Sequence, residues 1–179
     1  NKPNSPSDLS VSIAKCVQQN RKGTSKYLAQ ALEESLPLHP VVTCLLGPIS
    51  RRRFGQNQRS IFGFLNSAEP NGFRDFLRQA NNNELYRVHF LWDYLRINLE
   101  PSILASPDGH RWALAVDAIE RCEASGGVEL EVNVLKVIAL IDLFKERSGL
   151  LATEELISSC FESCNQDEII TALNQLRSQ

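Results

Sequence analysis

Apolar side chains return every three or four residues along almost the whole chain, and no convincing run alternates polar with apolar. Leu9, Ile13, Ala14 and Val17 fall on one side of a helix opened by Ser7 or Asp8. Ile169, Ile170, Leu173 and Leu176 do the same within 166–177. A period near 3.6 rather than 2 confines the chain to an all-α fold, with one short β pair at most. The sequence is 42% hydrophobic and 22% charged over 179 residues, enough apolar surface to close a core.

Between these ends the same spacing predicts a series of helices separated by glycine and proline. Gly23 ends the first. Thr24 or Ser25 starts a second through Tyr27, Leu28, Ala31 and Leu32, which ends before Pro37. Pro40 suits the first turn of a short helix over Val41 to Leu46, stopped by Gly47 and Pro48. A short helix follows through Phe73, Phe76 and Leu77, then an exposed loop over 79–84. A helix with Leu91, Trp92, Tyr94 and Leu95 should stop near Pro101. Asp108-Gly109 turns into an amphipathic helix carrying Trp112, Leu114, Ala115, Ala118 and Ile119, closed by Ser125-Gly126-Gly127. Three more helices end the chain: Val134 to Phe144, Thr153 to Cys164 and Gln166 to Arg177. In the first of these, Lys136 and Asp142 fall off the stripe of Val134, Val137, Ile138, Ile141 and Phe144.

Several functions find no support in these residues. No apolar run approaches the roughly 18–20 residues needed to span a bilayer, so no membrane role is expected. There is no GxxxxGK[ST] phosphate loop, GxSxG elbow or HExxH helix. His39, His89 and His110 are far apart and read as structural or surface residues, so the chain itself carries no catalytic set. The net charge of −2 gives no overall pull toward nucleic acid. Five cysteines, an odd number, read as reduced and mostly buried thiols of a cytoplasmic protein. Cys160 and Cys164 would share a helix face, but no CxxC pair or neighbouring histidine completes a metal site. The chain contains no Met and does not begin with one, which suggests a piece of a longer protein.

The most informative stretch is Ile49 to Leu65. Arg51, Arg52, Arg53 and Arg59 place four positive charges within nine residues. Asn57 can cap a helix that has Arg59 in its first turn and Ile61, Phe62, Phe64 and Leu65 on its apolar face. A guanidinium there could bridge phosphate oxygens in two places, or the segment could be a solvated basic turn. The order Asn57-x-Arg59-x-Ile61-x-Gly63-x-Leu65 resembles the sensor-2 helix in the lid of AAA+ ATPases. The wider wording resembles large bacterial ATP-binding proteins, including phage-defence ATPases of the BREX type. It comprises Leu38-His39-Pro40, Phe54-Gly55-Gln56-Asn57-Gln58-Arg59-Ser60-Ile61-Phe62-Gly63-Phe64-Leu65, Leu91-Trp92-Asp93-Tyr94 and Leu135-Lys136-Val137-Ile138-Ala139-Leu140. The resemblance implies that Arg59, with Asn57 capping its helix, senses the nucleotide's terminal phosphates. It makes Arg51, Arg52 and Arg53 candidate phosphate or subunit contacts. ATP and magnesium would be bound by a P-loop domain upstream in the parent protein, whose assembly into homo-oligomers is plausible by the same resemblance. The phosphate loop and the metal-binding acidic strand of that family are missing from this sequence.

The last three predicted helices have the order of a helix-turn-helix or winged-helix core. The resulting expectation is a lid-like helical region over 1–80, a helical connector over 81–129 and a truncated winged-helix-like unit over 130–179. Residues 150–179 contain five acidic residues and one basic, −5 + 1 = −4, the wrong sign for phosphate attraction. That favours packing or partner contact over DNA readout. A different class of function remains open from the residues alone: a stand-alone helical interaction module or regulator whose arginines contact nucleic acid or an acidic partner.

Overall fold

The structure, a computed structural model, describes residues 5–52, 61–66, 69–161 and 164–178. The described residues form ten helices and no strand, as the spacing requires. They are α1 (Asp8–Asn20), α2 (Leu28–Glu34), α3 (Pro40–Arg51), α4 (Ile61–Asn66), α5 (Phe73–Gln79), α6 (Val88–Leu104), α7 (Gly109–Ala124), α8 (Glu129–Ser148), α9 (Glu154–Ser159) and α10 (Gln166–Arg177). No helix among the described residues is long and apolar enough to cross a membrane.

Helix α8 is the centre of the fold. It packs against α3, α6, α7, α9 and α10. Val134, Val137, Leu140, Ile141 and Phe144 are buried along it. Being surrounded, α8 buries more than the single stripe read from the sequence. Lys136 lies off that stripe yet not in solvent: its side chain is 14% exposed, with Nζ 2.9 Å from Asp93 Oδ1 on α6. Gly149 ends α8 at φ 75°, its N–H donating to the Lys145 carbonyl. That left-handed turn favours glycine, and a Cβ there would sit 3.0 Å from Arg21 Cβ.

The buried cluster draws residues from 1–80, 81–129 and 130–179 alike. Trp92 on α6 and Trp112 on α7 are fully buried and stacked, with ring centroids 4.2 Å apart and planes 18° apart. Trp112 Nε1 donates to Glu100 Oε1 at 2.9 Å. A second aromatic group joins α4, α5 and α6 through Phe64, Phe73, Phe76, Tyr86, Phe90 and Tyr94. The only β-type contact among the described residues is an isolated parallel bridge between Leu38 and Tyr86. In it Tyr86 N donates to the Pro37 carbonyl at 2.8 Å and His39 N donates to the Tyr86 carbonyl at 3.1 Å.

Helix ends follow side-chain chemistry at several places. Ser7 Oγ accepts from Ser10 N, and Thr153 Oγ1 from Leu156 N. Asn165 Oδ1 accepts from Asp167 N, while Glu168 Oε2 accepts from Asn165 N, a reciprocal pair that opens α10.

Four expected boundaries are corrected. Helix α2 begins at Leu28 rather than at 24 or 25, because Thr24 Oγ1 donates to the Arg21 carbonyl and Ser25 Oγ accepts from Tyr27 N, which holds a turn there. Helix α3 continues through Gly47 and Pro48 to Arg51. A mid-helix proline costs about 3 kcal/mol, but Leu45, Pro48 and Ile49 are all buried and their packing outweighs it. Helix α6 likewise runs past Pro101, carrying Ile103 into the core at 2% exposure. Helix α9 stops at Ser159, so Cys160 and Cys164 do not share a helical face. Cys160 is the C-cap, its Sγ donating to the Leu156 carbonyl, and Cys164 sits in the following bend.

Candidate functional site

The basic segment begins at the C-terminus of α3. Arg51 is exposed in the last helical turn, and Arg52 is the C-cap, its N–H donating to the Ile49 carbonyl. Arg52 Nε lies 3.0 Å from Asp108 Oδ2, with the side chains 24% and 8% exposed. The two atoms sit at ion-pair distance without the alignment of a hydrogen bond, so charge rather than a directed bond holds them. Asp108 reaches this position through a tight turn. Its N–H donates to Ser106 Oγ, and Gly109 N donates to the Ser106 carbonyl. A Cβ on Gly109 would lie 2.1 Å from the Leu104 carbonyl oxygen, so the turn admits only glycine. Asp108 itself was missed by sequence reading. Asp-Gly announces a turn, but nothing local says that its carboxylate will be buried against an arginine more than fifty positions earlier.

Arg53, Asn57 and Arg59 lie outside the described residues, as does the expected capping of their helix by Asn57. The described chain resumes at Ile61 as α4, so the second half of the sensor-like motif, Ile61 to Leu65, is helical. Phe64 anchors it at 4% exposure, with ring centroids 5.4 Å from Tyr86 and 5.0 Å from Tyr94. Both ends of the segment carrying Arg53, Asn57 and Arg59 are thereby tied to the core, one by charge and one by aromatic packing.

The chain matches no family model, no curated protein and no solved structure.

The histidines divide as expected of structural and surface residues. His110 is exposed. His39 is 1% exposed at the start of α3; its Nδ1 accepts from Val41 N at 3.2 Å. Its Nε2 lies 2.9 Å from the Ser159 carbonyl, and with Nδ1 accepting, Nε2 carries the proton and donates. His89 packs between Phe90 and Phe161, with centroids 4.4 and 6.0 Å away. Burial pulls both imidazoles down to about 4, and the Arg87 charge adds to it in each. Both are therefore neutral at pH 7. Burial pushes the Cys44 thiol up to about 12, which leaves it a poor nucleophile. No disulfide joins any of the five cysteines. Among the described residues no group of three or more metal-binding side chains converges.

The Arg52–Asp108 pair gives a direct test of the anchor. Removing one partner of a buried pair strands the other charge, at about 3–5 kcal/mol when burial is complete. Arg52 keeps a quarter of its surface in water, which lowers that figure. Arg52→Ala is expected to lose about 2 kcal/mol in urea unfolding. Adding Asp108→Asn should recover part of that loss; strict additivity of the two changes would mean the pair has no coupling.

Proposed function

We propose that this chain is the lid and winged-helix-like part of an ATP-binding protein, in which Arg59 senses the terminal phosphates of a nucleotide held elsewhere. The nucleotide and its magnesium ion are bound by a P-loop domain upstream in the same protein, and the lid closes on them. The setting is that of a cytoplasmic bacterial ATPase of the phage-defence type, which the motif order resembles.

The observation that carries this reading is the double anchoring of the arginine segment. Helix α3 ends at the Arg52–Asp108 pair, and α4 is fixed through Phe64. A sensing arginine needs such support, since a phosphate contact acts only if the helical body moves with it. Asn57 would cap and orient the helix that carries Arg59. Arg51, exposed at the end of α3, and Arg53 remain for phosphate or subunit contact, as in a homo-oligomer, whereas the charge of Arg52 is engaged by Asp108.

The C-terminal helices suit packing or partner contact better than DNA binding. The outward residues of α10 include Asp167, Glu168, Thr171, Asn174 and Gln175. Arg177, the only basic residue from 150 to 179, has its guanidinium 3.0 Å from Glu154. A helix with this face does not attract a phosphate backbone.

The test is made in the intact protein. A guanidinium that stabilises charge on a transferring phosphoryl group contributes a factor of about 10² or more. Arg59→Ala should lower ATPase turnover about 100-fold while leaving the melting temperature unchanged. Arg59→Lys should restore only part, because an ammonium lacks the two-pronged geometry. Unchanged turnover in Arg59→Ala would remove the sensor role.

A further inference from the structure

We infer that a recess between α5, the connection over 80–86 and the start of α6 binds a small alkylammonium cation. The recess has a volume of about 310 Å³. This is at the lower end of the range for small-molecule sites, about 300–1,000 Å³. Its walls supply two kinds of group that attract such a cation. The half-buried rings of Phe76 and Phe90 form an aromatic wall, backed by the fully buried Tyr86, which lies edge to face with Phe76 at 5.4 Å and 5.8 Å from Phe90. Asp75 and Glu84 add two carboxylates, and among the described residues no lysine or arginine lines the recess.

The carboxylates are not consumed by the fold. Among the described residues Asp75 accepts two hydrogen bonds, from Asn71 N and Gln79 Nε2, at 3.4 Å each, longer than well-formed bonds. Among the described residues Glu84 accepts through Oε2 alone, from Asn81 N at 3.1 Å. The rim is pinned by Tyr86, whose hydroxyl donates to the Asn71 carbonyl at 2.6 Å. The rings touch one another, so they make one wall rather than a closed cage. A methylated ammonium fits this combination: its weakly hydrated methyl groups lie on the rings, and its charge is balanced by the carboxylates. Anions are repelled. A bare divalent ion is poorly matched, since calcium wants about six to eight converging oxygen ligands and among the described residues no group of three or more metal-binding side chains converges.

The probe is choline, titrated into the full chain at low salt and followed by nuclear magnetic resonance. Its neutral isostere, 3,3-dimethylbutan-1-ol, is titrated in parallel. Choline should bind with a Kd on the order of 1 mM, and the isostere at least about tenfold more weakly. Asp75→Asn and Glu84→Gln should each weaken choline about fivefold without changing the melting temperature or the isostere's affinity. Phe90→Leu keeps the wall apolar and should also weaken choline but not the isostere. Absence of choline binding by the folded chain would overturn the inference. So would equal affinity for the isostere, which would make the recess a merely apolar hollow. None of these outcomes depends on nucleotide sensing by Arg59.

Discussion

Replacing Trp112 by alanine is expected to destabilise the fold by about 4 kcal/mol, the middle of the range for buried Trp or Phe truncations. Two losses combine. The indole is 1% exposed and stacked on Trp92 at 4.2 Å, so its removal opens a cavity between α6 and α7. Its Nε1 is the donor to Glu100 Oε1, and without it a half-buried carboxylate loses its partner. Trp112→Phe keeps most of the ring contact but not the donor and should cost about half as much. For a chain of this size each kcal/mol moves the melting temperature by about 2–4 °C, so the alanine variant should melt about 10 °C lower. A loss below about 1 kcal/mol in urea unfolding would show that α7 docks without this stack.

The helices could be read in the sequence because their periodicity is local. Ile169, Leu173 and the Asn165–Glu168 capping pair sit within one short window, and α10 emerges over 166–177 as its spacing demands. What could not be read depends on partners far along the chain. Pro48 and Pro101 are breakers by local rule. They are tolerated because α3 and α6 are each packed against α8, a fact no window around either proline contains. Lys136 falls off the apolar stripe of α8, and only the approach of α6 turns that side into the wall of an ion pair with Asp93. The extension of α9 to Cys164 failed for a related reason. Ile157, Cys160 and Phe161 are all buried, as the helical spacing suggested, but Cys160 and Phe161 reach the core from a turn.

The candidate site divides the same way. Four arginines in nine residues are visible as charge. That Arg52 is held by Asp108 while Arg51 faces solvent follows only from where α7 begins. The organic-cation recess has no sequence signature at all. Phe76, Tyr86 and Phe90 look like core residues on two helices and a loop. Asp75 and Glu84 look like ordinary surface carboxylates. Their convergence is created by the return of the chain from α5 to α6, closed by the Tyr86 hydroxyl on the Asn71 carbonyl.

Mild acid should weaken the fold through its two buried histidines, by about 4 kcal/mol between pH 7 and pH 5. An imidazole in the unfolded chain takes up a proton near 6.5, whereas His39 and His89 in the folded chain do so only at about 4. The stability they contribute is therefore complete above 6.5 and is lost as pH falls toward 4, because the unfolded state binds the protons first. At pH 5 the difference amounts to about 2 kcal/mol for each histidine, at about 1.4 kcal/mol per pH unit. The causes differ in detail. His39 loses the Val41 N–H contact to Nδ1 if that nitrogen is protonated. His89 has a buried Nδ1 with no hydrogen-bond partner among the described residues and faces the Arg87 and Lys136 charges. Two carboxylates with lowered pKa values, Glu33 and Asp142, act in a more acidic window. Glu33, held low by Ser7 hydrogen bonds, and Asp142, held low chiefly by its hydrogen bond from Lys145, contribute stability that is present above the ordinary carboxylate range and is lost as pH falls through it toward their lowered values. Urea unfolding at pH 7 and pH 5 measures the slope. In the His39→Asn, His89→Phe double variant the slope should be nearly flat, whatever its absolute stability. A double variant with the full acid dependence would place the titrating groups elsewhere and leave the two imidazoles as packing residues alone.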